Sequence, residues 1–240
     1  MAADNTIIGE PTDPARFSDF DLFEREASYG RSGFALQFML DTRLSDAERY
    51  PLKVIDLIIM DIPTQEAPEK VSWSSDSQYI VEELPNLAFN GDHYHKPMFM
   101  SSEFVEYTGS VMSIDPSGRG KDETGYAVVK MLNGYPYVRK CGGIAGGYSK
   151  EALQKLAVIA KEEQVNEIIV ESNFGDGMFN QLFMPVVNKV HPVTMGEVRH
   201  NTQKERRIID ILEPVMNQHR LVMDKKVIQK DFDRCQHLPP

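Results

Sequence analysis

The sequence predicts an α/β fold: a mixed sheet with flanking helices, preceded by an irregular N-terminal arm. Three strand-like runs come first, at 110–115, 125–132 and 135–142. The dipeptide Asn133-Gly134 between the second and third runs is a strong signal for a two-residue hairpin turn. Helix-like and strand-like runs then alternate, an order typical of parallel strands joined by helices.

A crossover helix is expected at 149–163. Ser149 can cap its N-terminus, and its apolar residues recur at the helical period, at Ala152, Leu153, Leu156, Ala157 and Ala160. A strand-like run at 167–171 follows. A connection through this helix should return that strand parallel to one already in the sheet.

The later elements are predicted from apolar runs and proline positions. A short helix near 177–184 should end at Pro185, and a strand is expected near 186–194. The helix expected near 202–219 contains Pro214, which should kink or split it.

The 240 residues suggest one large domain, or one domain with an appendage. We divide the chain into an arm or linker at 1–62, an irregular connecting segment at 63–109, and the α/β domain at 110–240. The sequence contains no run of 18 apolar residues and no secretory signal at its start, so no membrane span is expected. Its two cysteines fit a reducing cytosol.

Charge is unevenly distributed along the chain. The net charge of −10 argues against a general nucleic-acid binder, because phosphate binding depends on Lys and Arg. The segment 198–220 is nevertheless rich in basic residues: Arg199, His200, Lys204, Arg206, Arg207, His219 and Arg220. A metal site also carries excess acid, because carboxylates balance divalent cations.

Two carboxylates each close a predicted strand. Asp115 ends the run at 110–115, before a glycine-rich turn, and Glu171 ends the run at 167–171. If these strands are parallel neighbours about 4.8 Å apart, the carboxylates converge at the carboxyl edge of the sheet, where ligands bind. This is the ribonuclease H-like arrangement. Such a pair is the minimum of a metal-dependent site that cleaves phosphodiesters.

Hard oxygen ligands favour Mg²⁺ or Mn²⁺ over zinc, and two ions about 3.5–4 Å apart suit phosphodiester hydrolysis. Asp115 would bridge the two ions and Glu171 would hold one. Asp122, across the turn from Asp115, could face the same metal, although a solvated turn explains it equally well.

Four basic residues are candidate contacts to DNA: Arg119, Lys121, His200 and Lys204. The first two lie in the glycine-rich turn, which could cradle a backbone phosphate or form only a tight hairpin. The other two could touch phosphate or belong to a solvated basic face.

Other titratable residues are weaker candidates for a metal site. Asp176 lies in a Gly-Asp-Gly loop, where a helix cap is the simpler explanation. Asp210 could supply a third carboxylate or only pair with a neighbouring arginine. Glu123, the residue after Asp122, is also a weak candidate. His93 and His95 alternate, but no cysteine or carboxylate cluster makes a zinc set with them.

Several segments resemble the nuclease region of bacteriophage large terminase subunits, in particular the branch from short-tailed phages often called DNA maturase B. The first nuclease motif is matched by Ile114-Asp115-Pro116-Ser117-Gly118-Arg119-Gly120-Lys121-Asp122-Glu123-Thr124-Gly125. The second is matched by Val170-Glu171-Ser172-Asn173-Phe174-Gly175-Asp176-Gly177. The segments 33–41 and 204–214 are also similar to this family, the former to the joint between its motor and nuclease domains.

The resemblance implies a metal-dependent endonuclease domain that cuts concatemeric double-stranded viral DNA during packaging. It implies an ATPase domain, a small terminase subunit and the portal as partners, and the host cytoplasm as the location. Large terminases also carry a P-loop ATPase and a third nuclease carboxylate in a late acidic motif. The sequence contains neither, so we expect a fragment that is truncated before that motif and has weak or no activity.

Two alternative functions remain open at this point. A stand-alone ribonuclease H-like resolvase would use the same chemistry, although the hydrophobic segment 33–40 argues for a joint to another domain. A non-catalytic docking module of the packaging motor would explain the missing third carboxylate.

Overall fold

The computed structural model describes residues 16–18, 20–22, 24–25, 34, 37–39, 51–85, 91–117, 122–171, 177–200 and 203–235. The chain divides into two compact units, Met1–Pro51 and Leu52–Pro240. In the first unit, Phe34 and Phe38 stack with their ring centroids 5.1 Å apart, as residues one helical turn apart do. The remaining description concerns the second unit.

The second unit is built on a seven-stranded sheet with the order β1-β11-β8-β7-β6-β9-β10. Its strands are β1 (Ile58–Met60), β6 (Gly109–Asp115), β7 (Thr124–Leu132), β8 (Tyr135–Ile144), β9 (Glu167–Glu171), β10 (Thr194–Val198) and β11 (Val222–Asp224). Two small antiparallel sheets pair β2 (Glu66–Pro68) with β5 (Phe104–Glu106), and β3 (Val71–Ser72) with β4 (Phe99–Met100).

Four helices accompany the sheet: α1 (Lys150–Glu162), α2 (Met178–Val190), α3 (Lys204–Asn217) and α4 (Lys225–Cys235). Short 3₁₀ turns lie at Val54–Asp56 and Ser77–Tyr79. No helix in the described residues is both long enough and apolar enough to cross a membrane.

All the strands of the large sheet run in the same direction except β7, which is antiparallel to both of its neighbours. The hairpin between β7 and β8 closes at Asn133 and Gly134, whose φ angles of 50° and 80° suit the turn predicted there. Helix α1 crosses over the sheet and returns the chain to β9, parallel to β6. The central strands, the crossover helix and the parallel return are confirmed.

The main core lies between one face of the sheet and helices α1 and α2. Met112 and Ile114 of β6 and Ile168 and Val170 of β9 are buried on this face. Ser149 caps α1 by accepting a hydrogen bond from the backbone N–H of Ala152 at 3.2 Å. The alternating burial of β6 and β9 leaves the other set of side chains on the opposite face.

Two prolines that were expected to interrupt helices lie inside them. The helix predicted to end at Pro185 continues through it to Val190, so the strand predicted near 186–194 is wrong. Phe179, Phe183 and Val187 recur at four-residue spacing and are buried, and this packing outweighs the lost backbone hydrogen bond. Helix α3 runs from Lys204 to Asn217 through Pro214, so the predicted split does not occur, and the alternative of a kink at Pro214 stays a prediction.

Strand β11 and helix α4 were not predicted. β11 has only three residues, and it forms by pairing in parallel with β8 and β1, which are distant in sequence. Residues 58–60, assigned to the predicted arm at 1–62, are buried in this sheet as β1, and the compact unit that holds them begins at Leu52. The division of the chain into an arm, a connecting segment and a nuclease domain otherwise stays a prediction.

A buried ion network joins the added strands to the rest of the sheet. Arg139 of β8 donates from Nε to Glu163 Oε2 at 3.1 Å and from Nη1 to Asp224 Oδ2 at 2.9 Å. It also donates to the Ile62 carbonyl. The Lys130 ammonium donates to the Glu163 carbonyl at 2.7 Å. These four charged residues are the buried ion network, and each charge has an opposite partner or a carbonyl.

We expect Arg139→Met to lower the free energy of unfolding by about 3–5 kcal/mol, because it leaves the carboxylates of Glu163 and Asp224 buried without their main partner. Urea unfolding at pH 7 measures this. Arg206→Met is the matched control: Arg206 is 83% exposed, with its ion-pair partner 4.0 Å away, and its loss should cost less than about 0.5 kcal/mol. Equal effects of the two substitutions would contradict the prediction.

The network should also make stability depend on pH. Burial raises the pKa of Glu163, but the hydrogen bonds and charges of Arg139 and Lys140 outweigh it and hold that pKa below its ordinary value. The carboxylate therefore stabilises the fold above about pH 4.5 and loses that contribution as pH falls through the lowered pKa. Glu163→Gln should be less stable than the parent at pH 7, and the difference should shrink below pH 4.5. Urea titrations of both proteins from pH 7 to pH 3 test this, and a constant difference would contradict it.

Candidate functional site

Asp115 and Glu171 lie side by side at the carboxyl edge of the sheet. The parallel register pairs Ile114 of β6 with Val170 of β9, so the next residue of each strand is a carboxylate. Neighbouring strands lie about 4.8 Å apart. Ile114 and Val170 point into the core, so alternation directs both carboxylates to the opposite face. The structure thus brings together the two residues predicted to form the site.

Each of these carboxylates forms an ion pair with the first turn of α3. Lys204 Nζ lies 2.6 Å from Asp115 Oδ2, and Arg207 Nη2 lies 3.0 Å from Glu171 Oε1. The two basic residues are three positions apart, so they share one side of the helix. The hydrogen bond and charge of Asp115 raise the pKa of Lys204. In the sequence Arg207 is one member of a basic segment. Its ion pair with Glu171 depends on where α3 packs.

The two ion pairs differ in their access to solvent. The side chains of Asp115 and Lys204 are 48% and 59% exposed, whereas those of Glu171 and Arg207 are 13% and 17% exposed. The first pair is therefore open to ions and ligands from solution. The second is held closer to the sheet.

The backbone just beyond Asp115 is fixed by a pair of buried hydroxyl side chains. The Ser117 N–H donates to Thr124 Oγ1 at 3.2 Å, and the two hydroxyl oxygens also lie 3.2 Å apart. Both residues are buried. This contact closes the β6–β7 connection at its base and limits the movement of the strand end that carries Asp115.

Only some of the other predicted metal-binding and DNA-binding residues lie within the described residues. Asp122 is exposed two residues before β7, and its role as a metal ligand stays a prediction. Arg119 and Lys121 lie outside the described residues, as does Asp176. His200 is exposed two residues past the end of β10, the strand next to β9, which places it on the same edge of the sheet as Glu171.

The weaker metal candidates have other partners. Asp210 is exposed and pairs with Arg206 one turn away on α3, at 4.0 Å. Glu123 pairs with Arg234 of α4. His95 is buried, and its Nδ1 lies 3.0 Å from the carbonyl oxygen of His93. Across the described ranges, no group of three or more His, Cys, Asp or Glu side chains is arranged to hold a metal ion.

Asp224 is a third carboxylate that closes a parallel strand, and sequence reasoning missed it. Only two apolar residues, Val222 and Met223, precede it in the strand, and so short a run does not predict a strand. Asp224 is buried and accepts hydrogen bonds from Arg139 at 2.9 Å, from the Ile62 N–H at 3.1 Å and from the Lys226 N–H at 2.9 Å. The strand register also sets it about four residues, or roughly 13 Å, back from Asp115 along the strand direction. It is a structural residue of the buried ion network.

The donor chemistry at Asp115 and Glu171 fits a divalent cation. Both supply hard carboxylate oxygens, the ligands that Mg²⁺ and Mn²⁺ prefer, on one face of the sheet. Both carboxylates already have a cationic partner, so the position accommodates positive charge. Among the described residues, Asp115 and Glu171 are the two carboxylates brought together here. They make up part of the ligand set that two metal ions would need.

The topology defines the class of the protein. Three antiparallel strands, β6 to β8, are followed by a crossover helix and by β9 and β10 in parallel, so that the order β8-β7-β6-β9-β10 has β6 at its centre. With carboxylates at the ends of β6 and β9, this is the ribonuclease H-like class predicted from the sequence.

Comparison with known proteins then gives the family. Residues 114–221 match the family described as Terminase Bacteriophage T7, Ribonuclease H-like domain. Over 226 residues the chain is 48% identical to the terminase large subunit of Enterobacteria phage T3, an alignment that covers 94% of this chain and 39% of the phage protein. The predicted resemblance to large terminase subunits is therefore confirmed, and residues 114–221 carry the similarity to the ribonuclease H-like domain. The chain spans about two fifths of the length of this curated relative.

Two solved structures that are similar to part of this chain are terminase nuclease domains. The human cytomegalovirus terminase nuclease domain, soaked with manganese and bound to an inhibitor, has a TM-score of 0.41 at 11% identity, covering 55% of this chain and 74% of that one. The nuclease domain of the large terminase subunit gp2 of bacterial virus Sf6 has a TM-score of 0.39 at 13% identity, covering 51% of this chain and 66% of that one.

The difference between Asp115 and Asp224 leads to a prediction about stability. Asp115→Asn should change the free energy of unfolding by less than about 1 kcal/mol, because it breaks one half-exposed ion pair and relieves repulsion from Glu171. Asp224→Asn should cost about 3 kcal/mol or more, because it removes one of the two buried carboxylates that pair with Arg139. Denaturant unfolding without added metal compares the two variants. A larger loss for Asp115→Asn would show that the site carboxylate has the greater structural role.

Proposed function

We propose that this chain is the metal-dependent endonuclease region of a large terminase subunit, which cuts concatemeric double-stranded DNA during viral packaging. The observation that carries the proposal is the placement of Asp115 and Glu171 on one face of the sheet, at the ends of adjacent parallel strands. The family match over residues 114–221 supports the same conclusion.

Asp115 and Glu171 would hold the metal, Mg²⁺ or Mn²⁺, with Asp115 shared between two ions and Asp122 as a further candidate ligand. When bound, two such ions activate the attacking water and stabilise the leaving oxygen in phosphodiester hydrolysis. The described residues place two carboxylates, Asp115 and Glu171, together at this edge, which is an incomplete ligand set for two ions. The chain alone would then cut weakly, and better with Mn²⁺, which is less strict about geometry.

The DNA would be held through its backbone. His200 and Lys204 border the carboxylates on the same edge of the sheet, and Arg119 and Lys121 follow Asp115 in the sequence. Contacts to phosphate position a duplex without reading its sequence, so little sequence preference is expected from these residues. In the whole protein, an ATPase domain, a small terminase subunit and the portal would be the partners, and the host cytoplasm the location.

A second candidate function is a non-catalytic docking module of the packaging motor. The ion pairs on both carboxylates favour it, because the pairs neutralise the two groups that catalysis needs. A stand-alone resolvase has less support, because the chain aligns over nearly its whole length with a much longer terminase subunit.

Direct Mn²⁺ binding and plasmid nicking separate these functions. Isothermal titration should detect Mn²⁺ binding to the parent chain, and micromolar protein with Mn²⁺ should nick a supercoiled plasmid slowly. Asp115→Asn and Glu171→Gln should each reduce nicking by on the order of a hundredfold or more, because each removes a metal-binding charge.

Asp210→Asn is the control for that experiment. Asp210 is an exposed carboxylate of α3 that pairs with Arg206, so its substitution should leave nicking unchanged. A parent chain that binds no Mn²⁺ would favour the docking module. Nicking that survives Asp115→Asn would remove Asp115 from the proposed site.

A further inference from the structure

The first turn of α3 contacts the edge of the sheet through two ion pairs. Lys204 and Arg207 reach Asp115 and Glu171, while Ile208 and Ile211 on the same stretch are exposed, Ile211 by 61%. The first fully buried residue of the helix is Met216, near its C-terminal end. The two ion pairs therefore contribute to holding the N-terminal part of α3 at the edge of the sheet.

Each pair occupies one oxygen atom of a carboxylate that would hold a divalent cation. Lys204 lies 2.6 Å from Asp115 Oδ2, so a metal ion at that oxygen would have to displace the ammonium group or share the oxygen with it. Lys204 and a divalent cation would also repel each other at this separation. The Lys204 pair is half-exposed and correspondingly weak, which makes exchange feasible.

We propose that Lys204 and Arg207 are resident counter-ions of the metal carboxylates, and that they pass to a DNA backbone phosphate when divalent ions bind Asp115 and Glu171. This inference rests on the proposed nuclease function. Lys204 is then a conditional DNA contact: it is held by Asp115 in the metal-free protein and released to the substrate by metal binding. Arg207 makes the same exchange at Glu171 from a more buried position.

Such an exchange couples metal binding to DNA binding. The metal frees a cation that gains a phosphate partner, so Mn²⁺ should strengthen the binding of a duplex, and the duplex should strengthen the binding of Mn²⁺ by the same factor. Lys204 also competes with the metal for one oxygen. Its removal should therefore tighten metal binding in the absence of DNA and weaken the coupling when DNA is present.

Isothermal titration of Mn²⁺ alone tests the competition. We expect Lys204→Met to bind Mn²⁺ roughly threefold to tenfold more tightly than the parent chain, because a competing charge beside a divalent ion is gone. Arg206→Met is the matched control: it removes the same charge two residues away, from a side chain that is 83% exposed and pairs with Asp210. At about 0.15 M salt the control should have the affinity of the parent, since distant charges are screened. Lys204→Arg should restore the affinity of the parent.

Fluorescence anisotropy with a short duplex tests the exchange. Duplex affinity is measured with and without Mn²⁺ at fixed salt, and the integrity of the duplex is checked on a denaturing gel. Without metal, Lys204→Met should bind the duplex as the parent does. With Mn²⁺, the parent should bind about threefold or more tightly, and Lys204→Met should lose most of that gain, since one phosphate contact is missing.

The outcomes separate this inference from the function on which it rests. If the parent chain binds no Mn²⁺, the proposed nuclease function fails and the inference fails with it. If the parent binds Mn²⁺ and Lys204→Met binds it no more tightly than Arg206→Met, the function stands and the counter-ion inference is overturned. Equal weakening of duplex binding by Lys204→Met with and without Mn²⁺ would also overturn it, because Lys204 would then be a permanent DNA contact.

Discussion

The site depends on the parallel pairing of β6 with β9, and that pairing depends on the face of the sheet turned away from the site. Helices α1 and α2 cover Met112 and Ile114 on one strand and Ile168 and Val170 on the other. A slip of one residue in either strand would turn its apolar set out of this core and its terminal carboxylate into it. The hydrophobic core therefore fixes the register, and the register places Asp115 beside Glu171. No direct attraction between the two carboxylates is needed, and their repulsion is offset by burial elsewhere.

The buried ion network joins the strands β1 and β11 to the rest of the sheet. Arg139 contacts Glu163 at the end of α1, Asp224 at the end of β11 and the Ile62 carbonyl beyond β1, three segments that are far apart in sequence. Removing several charges from water is costly, and their mutual attraction repays it only when hydrogen bonds satisfy the remaining atoms. Here backbone groups supply those hydrogen bonds. The Ile62 and Lys226 N–H groups donate to Asp224, and the Glu163 carbonyl accepts from Lys130. The network therefore attaches β11 and β1 to the ribonuclease H-like strands in one defined arrangement.

Local signals made the centre of the fold predictable from the sequence. The Asn133-Gly134 turn, the period of α1 and the apolar runs of β6 and β9 are short-range patterns, and they were enough to place Asp115 and Glu171. Three features were set by packing between distant residues and could not be read locally. Helix α2 tolerates Pro185 because its buried stripe outweighs one missing hydrogen bond. The three residues of β11 become a strand only between two existing neighbours. The pairing of Lys204 and Arg207 with the carboxylates appears only when α3 is placed over the edge of the sheet.

Asp115 and Asp224 show why a carboxylate at the end of a parallel strand is not sufficient to define a metal site. Both residues close a strand of the large sheet. Asp224 is held by two backbone N–H groups and a nearly buried arginine, and backbone donors cannot leave without unfolding their segments. Asp115 is held by the end of a long lysine side chain that is 59% exposed, and this partner can rotate away at little cost. The proposed ligand Asp115 and the structural anion Asp224 therefore differ in the mobility of their partners. By that criterion the edge of the sheet at β6 and β9 is open to exchange, whereas the edge at β11 is closed.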